Sequence, residues 1–167
     1  MKIDDDHLYH GAALIQIAEH PQFTAINSFK GKLINYENAY RVNNDIAVYL
    51  KYASKPTKSF GEYVFTFTKS HLDELEAIAK AAPKTFLALV CVEAREVCCL
   101  SYGQLFSLVA RRRKAFGGGV ESQYVILVTA QKGSSLHVYV NAPHKKKTKL
   151  GKDVVVSRSA FPTDLFH

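Results

Sequence analysis

Ile46-Ala47-Val48-Tyr49-Leu50-Lys51-Tyr52-Ala53 is a run of strand formers with no alternation of apolar and polar residues. A strand with one wet face alternates; a strand covered on both faces does not. The run therefore predicts the central strand of a sheet with helices packed over it. One residue resists that environment. Lys51 carries an ammonium that is costly to desolvate, so it either reaches water from the strand end or is held for chemistry. Asp45 stands just before the strand as a possible acidic partner.

The flanking segments follow from this strand. Asn43-Asn44-Asp45 is a tight turn of residue types that tolerate left-handed backbone, so residues 39–53 form a hairpin with a first arm over 36–43. Ser54 to Gly61 is a loop, and Glu62 to Thr68 is the next strand. Upstream, His7 to His20 reads as a helix, capped by Asp4, Asp5 or Asp6 and stopped by Pro21. Leu8, Ala12, Ile15 and Glu19 lie on one stripe of it, which would turn Glu19 toward the core. Downstream, Ser70 with Asp73 predicts a capped helix buried on Leu72, Leu75, Ile78 and Ala79. Strands follow at 85–91 and 97–100. Ser101 and Gln104 cap a third helix that runs to about Phe116, where Gly117-Gly118-Gly119 stops it. A last hairpin covers 124–130 and 136–141, and an apolar tail docks back on the domain.

With 167 residues, 47% of them hydrophobic, the chain suits a single α/β (α+β) domain, residues 1–167. No apolar run approaches the length that spans a membrane, and the acidic start is unlike a signal peptide. Cys91, Cys98 and Cys99 sit among strand-forming apolar residues and read as reduced core thiols, which suits a cytoplasmic protein. There is no P-loop, no G-x-G-x-x-G, no G-x-S-x-G elbow and no zinc-ligand spacing.

Charge is unevenly placed. Residues 1–83 carry nine Lys/Arg and ten Asp/Glu, a net of −1, whereas residues 84–167 carry thirteen and five, a net of +8, which together give +7. A basic half beside a carboxylate-bearing half suits a polyanion partner, nucleic acid first. The candidate phosphate contacts are Arg111, Arg112, Arg113 and Lys114 at the end of the third helix, Lys145, Lys146, Lys147 and Lys149 beyond the last hairpin, and Arg158. The helix-end group also has a structural reading, since cations complement the negative end of a helix.

The order helix, three strands, helix, strand between His7 and Cys99, with Lys51 on a central strand, resembles the PD-(D/E)XK restriction-endonuclease-like superfamily. The segment Tyr40-Arg41-Val42-Asn43 through Val48-Tyr49-Leu50-Lys51-Tyr52 and Phe65-Thr66-Phe67 is also similar to small uncharacterised bacterial proteins of that type. The resemblance implies an αβββαβ core, a central mixed sheet flanked by helices, over residues 1–100. Residues 101–167 would add a basic helix, a hairpin and a tail. It also implies a Mg²⁺-dependent endonuclease acting on DNA, in which carboxylates hold the metal and a lysine orients the attacking water. Carried onto this chain, the catalytic residues are Glu19, Asp45 and Lys51, and the metal ligands Glu19, Asp45 and Glu62. The chain departs from the family at Tyr49, which stands two residues before the lysine where the family has an acid. Three functions stay open: a metal-dependent or degenerate nuclease, a non-catalytic nucleic-acid-binding module, and a protein-interaction or assembly domain, homodimeric or with another chain.

Overall fold

A computed structural model of the protein describes residues 1–31, 35–145 and 147–167. Helix α1 spans Asp5–Ala18. Strands β1 (Ile26–Lys30), β2 (Asn35–Val42), β3 (Ile46–Ala53) and β4 (Glu62–Thr68) precede helix α2 (Lys69–Ala81). Strands β5 (Lys84–Cys91) and β6 (Glu96–Ser101), helix α3 (Tyr102–Ala115) and strands β7 (Gln123–Thr129), β8 (Leu136–Tyr139) and β9 (Val154–Val156) complete the order.

The strands form two sheets. The first is mixed, in the order β1-β2-β3-β5-β6, and places β3 in the middle. The β1–β2–β3 meander is antiparallel, β3 and β5 run parallel in register from Ile46↔Lys84 to Ala53↔Cys91, and β6 returns antiparallel to β5. Ile46 to Leu50 are all buried, so the unbroken apolar run is covered on both faces. Left-handed Asn43, at φ 54°, makes the β2–β3 turn. Its side-chain oxygen also accepts from the Thr24 amide at 2.8 Å, tying the approach to β1 onto the turn.

The second sheet is antiparallel, in the order β4-β7-β8-β9. Here the structure corrects the sequence reading, which placed Glu62–Thr68 as the third strand of the meander. That place belongs to β1–β2–β3, and β4 pairs with β7 from Glu62↔Thr129 to Thr68↔Gln123. The reason lies in its alternation. Tyr63, Phe65 and Phe67 are buried while Val64 is exposed and Thr66 is half-exposed, the pattern of an edge strand in a sheet with one open face. Buried residues of both sheets and of α1, α2 and α3 form one contiguous cluster.

Two helices start or face differently from expectation. α2 begins two residues earlier than a Ser70 cap predicts. Thr68 caps it, accepting from the His71 amide, while the His71 ring accepts from the Thr68 amide. β4 runs directly into the helix, so the last strand residue supplies the cap. α1 buries His10, Ala13 and Ile17, and the Leu8, Ala12, Ile15, Glu19 stripe faces outward, with Leu8 55% and Ile15 60% exposed. The small Ala13 lets α1 lie close to the sheet, and the larger Leu8 and Ile15 stay outside. The third cap is as predicted: Ser101 and Gln104 cap α3 reciprocally. Gly117 and Gly118, both left-handed, close its end by donating to the Lys114 and Arg113 carbonyls. No helix among the described residues is long and apolar enough to cross a membrane. All three cysteines are buried and unpaired, and burial pushes the Cys91 and Cys99 thiols up to about 12.

Candidate functional site

Lys51 lies in the last half of β3, where the strand emerges from full burial. Its ammonium sits 3.4 Å from His71 Nδ1 and 4.8 Å from the centre of the Phe67 ring. The same histidine nitrogen accepts the Thr68 amide, so it carries no proton, and the Lys51 ammonium donates a second, longer hydrogen bond to it. Two residues earlier on the same face, the buried Tyr49 hydroxyl donates to Glu74 at 3.5 Å. α2 lies across this face and supplies both His71 and Glu74. Burial holds the Lys51 ammonium below its ordinary pKa, with Glu74 pulling the other way. Burial first, and then the Lys51 charge, lowers His71, while Glu74 opposes them. Burial and then Glu74 raise Tyr49. Lys51 thus finds its partners on α2 and β4.

Asp45 is elsewhere. It is exposed in the β2–β3 turn, and six residues of extended strand separate it from Lys51, about 20 Å at roughly 3.3 Å per residue. Glu19 is the exposed C-cap of α1. Glu62 is buried at the start of β4 in the second sheet, where the Tyr139 hydroxyl donates to it. The structure therefore does not gather Glu19, Asp45 and Glu62 around Lys51. Among the described residues no three His, Cys, Asp or Glu side chains come together as a metal site. So dispersed a donor set does not fit Mg²⁺.

The basic residues divide into two groups. The arginines face inward. Arg111 Nη1 donates to the carbonyls of Leu150 and Lys152 at 3.0 and 2.9 Å. Between them Gly151 is left-handed, and a Cβ there would come within 3.0 Å of the guanidinium. Arg112 forms a two-pronged pair with Glu121, 2.6 and 3.0 Å, and also donates to the Asn141 carbonyl. Arg113 donates to the Tyr124 hydroxyl at 3.1 Å and lies over that ring. Arg158 ties the Gln131 and Ser134 carbonyls to Glu96. These four are clamps that fasten α3 and the tail to the two sheets.

The lysines face outward. Lys114 and Lys145 are exposed. Lys147 extends over the exposed Phe60 ring, 4.7 Å from its centre, and so meets the loop that carries Lys55 and Lys58. Lys149 lies over Tyr139 and pairs with Asp153 at 2.7 Å. Lys146 falls outside the described residues.

Beside these lysines the open face of the second sheet is concave. A cavity of about 720 Å³ has Val64, Val125 and Leu127 as its floor, and Asn141, His144 and Lys145 on its wall. The Asn141 side-chain oxygen is buried behind that wall, with no hydrogen-bond partner among the described residues. The exposed Phe116 ring lies near His144, at 6.1 Å between centres. Sequence reasoning missed this site because Val64 and Val125 belong to strands that it treated as core. The alternation in Glu62–Thr68 was the available signal: it marks a sheet with an uncovered face. His71 and Glu74 were missed because polar residues on the Leu75 and Ile78 side of α2 look like surface groups in sequence, and only the crossover brings them over β3.

No protein-family model, curated protein or solved structure matches the chain.

Proposed function

We propose that this protein binds nucleic acid through the outward lysines of the second sheet, without sequence reading by those contacts. The observation that carries this reading is the Lys147–Phe60 contact. It brings Lys147 onto the 54–61 loop, which carries the exposed Lys55 and Lys58, while the exposed Lys145 lines the concave face. The net charge of +7 supports a polyanion partner. Such contacts add affinity through released counterions, and affinity then falls steeply with salt.

The restriction-endonuclease-like reading has one support in the fold. With β4 set aside as an insertion into the crossover, α1, the β1–β3 meander, α2 and β5 beside β3 follow the αβββαβ order. The dispersed carboxylates favour a scaffold that binds rather than cuts. On this proposal Lys51, with His71 and Glu74, holds α2 onto β3.

The test is a fluorescence-anisotropy titration of labelled DNA and RNA at rising salt. The wild type is compared with the Lys145→Glu/Lys147→Glu double variant, with Mg²⁺ and Mn²⁺ arms monitored for cutting. The expected result is salt-dependent binding that the double variant weakens at least tenfold, with the probe intact. Absence of binding at low salt, or binding indifferent to both salt and the charge reversals, overturns it.

A further inference from the structure

We infer that the cavity on the second sheet seats an unpaired nucleobase, so that the protein prefers single-stranded nucleic acid to duplex. This rests on the proposed nucleic-acid binding and specifies its substrate. Three features of the cavity point to a base. Its volume of about 720 Å³ lies within the range of small-ligand sites, roughly 300–1,000 Å³. The Val64, Val125 and Leu127 side chains present an apolar floor against which a planar ring can lie. On the wall, the exposed His144 ring, with Phe116 6.1 Å away between ring centres, offers an aromatic face on which a base can stack.

The cations complete the match. Lys145 is on the cavity wall and exposed, so a strand whose base enters the cavity has a phosphate beside its ammonium. The Arg112 guanidinium at the cavity is occupied by Glu121 and does not compete for phosphate. A duplex cannot use the cavity, because its bases are stacked and their donor edges are paired. Single strands present both the ring face and the edge. The cavity therefore adds selectivity for unpaired strands to a charge contact that has none.

The experiment measures anisotropy with four probes of equal length: a single DNA strand, the same strand in RNA, the DNA duplex, and a DNA strand whose sugars lack bases. Binding of the intact single strands about tenfold tighter than the abasic strand and the duplex is expected, in line with the strength of base contacts in single-strand binders. Both the DNA and the RNA strand should show the preference, because the cavity reads the base. Val125→Phe fills the cavity from an open sheet face, and circular dichroism checks its fold. It should bind the abasic strand like the wild type and lose the preference for intact strands. His144→Ala should reduce that preference. Equal affinity for intact and abasic strands, both still salt-sensitive, overturns the base seat and leaves phosphate binding standing. Failure to bind any of the four probes overturns both.

Discussion

The two sheets treat their faces differently. In the first, β3 and β5 are buried on both sides, and polar groups that fall inside must be satisfied by protein: Tyr49 by Glu74, Lys51 by His71 and a ring face. In the second, β4 and β7 bury one side and leave the other open, so Val64 remains 41% exposed. Similar β-forming residues thus build a core in one sheet and a surface able to take a ligand in the other. What separates them is connectivity. A parallel pair needs a crossover helix and acquires a cover with it; an antiparallel pair can leave one face to water.

The sharpest way to break this contrast is a matched pair of truncations. Leu50→Ala, at a fully buried centre of the first sheet, should cost about 2–5 kcal/mol. Val64→Ala, on the open face of the second, should stay within about 0.5 kcal/mol. Urea unfolding measures both, and a similar loss at the two sites would mean that the second face is covered in solution. Next in size, Arg112→Ala removes a half-buried two-pronged pair and strands Glu121, for an expected loss of about 1–3 kcal/mol. Lys114→Ala beside it, fully outward, should change the melting temperature little. If the two lysine and arginine variants behaved alike, the division into clamps and free cations would fail.

The smallest expected effect is on pH dependence. Burial lowers both His10 and His71 below the ordinary 6.5; Lys51 adds to the lowering in each, opposed by Asp6 at His10 and by Glu74 at His71. Below pH 6.5 the unfolded chain binds protons that the folded chain refuses, so stability should fall with acidification until the lowered values are passed. His10 is also buried with an unpaired ring nitrogen, packed edge-on against Tyr52. His10→Phe should flatten the acid side of the stability profile in thermal melts taken from pH 7 to pH 5. An unchanged slope would place the titration elsewhere.

Much of the local structure was legible in the chain. The eight residues of β3 end where the strand formers end, the Asn43 turn adopts the backbone its residue type allows, and Ser101 with Gln104 caps α3. These features depend on neighbours in sequence. The assignment of β4 to a sheet does not, because propensity marks a strand without naming its partner. The same limit explains the arginines. A basic run at a helix end looks alike whether its groups face phosphate or, as with Arg111 and Arg112, the carbonyls of Leu150 and Asn141 brought in from far along the chain. The α1 stripe failed for a smaller reason: two overlapping helical faces were apolar, and the one with the smaller residues packed.

The pairing of β4 has a kinetic consequence. Among the described residues its only strand neighbour is β7, and α2, β5, β6 and α3 all lie between them in the chain. During synthesis the first sheet can close as soon as β6 is made, but β4 must wait, with Tyr63, Phe65 and Phe67 and an unpaired backbone edge, until residues 123–129 arrive. Contacts of such long sequence separation slow folding and prolong the exposure of sticky edges. The second sheet should therefore be the last part to fold, and a chain cut short before β7 should aggregate through β4.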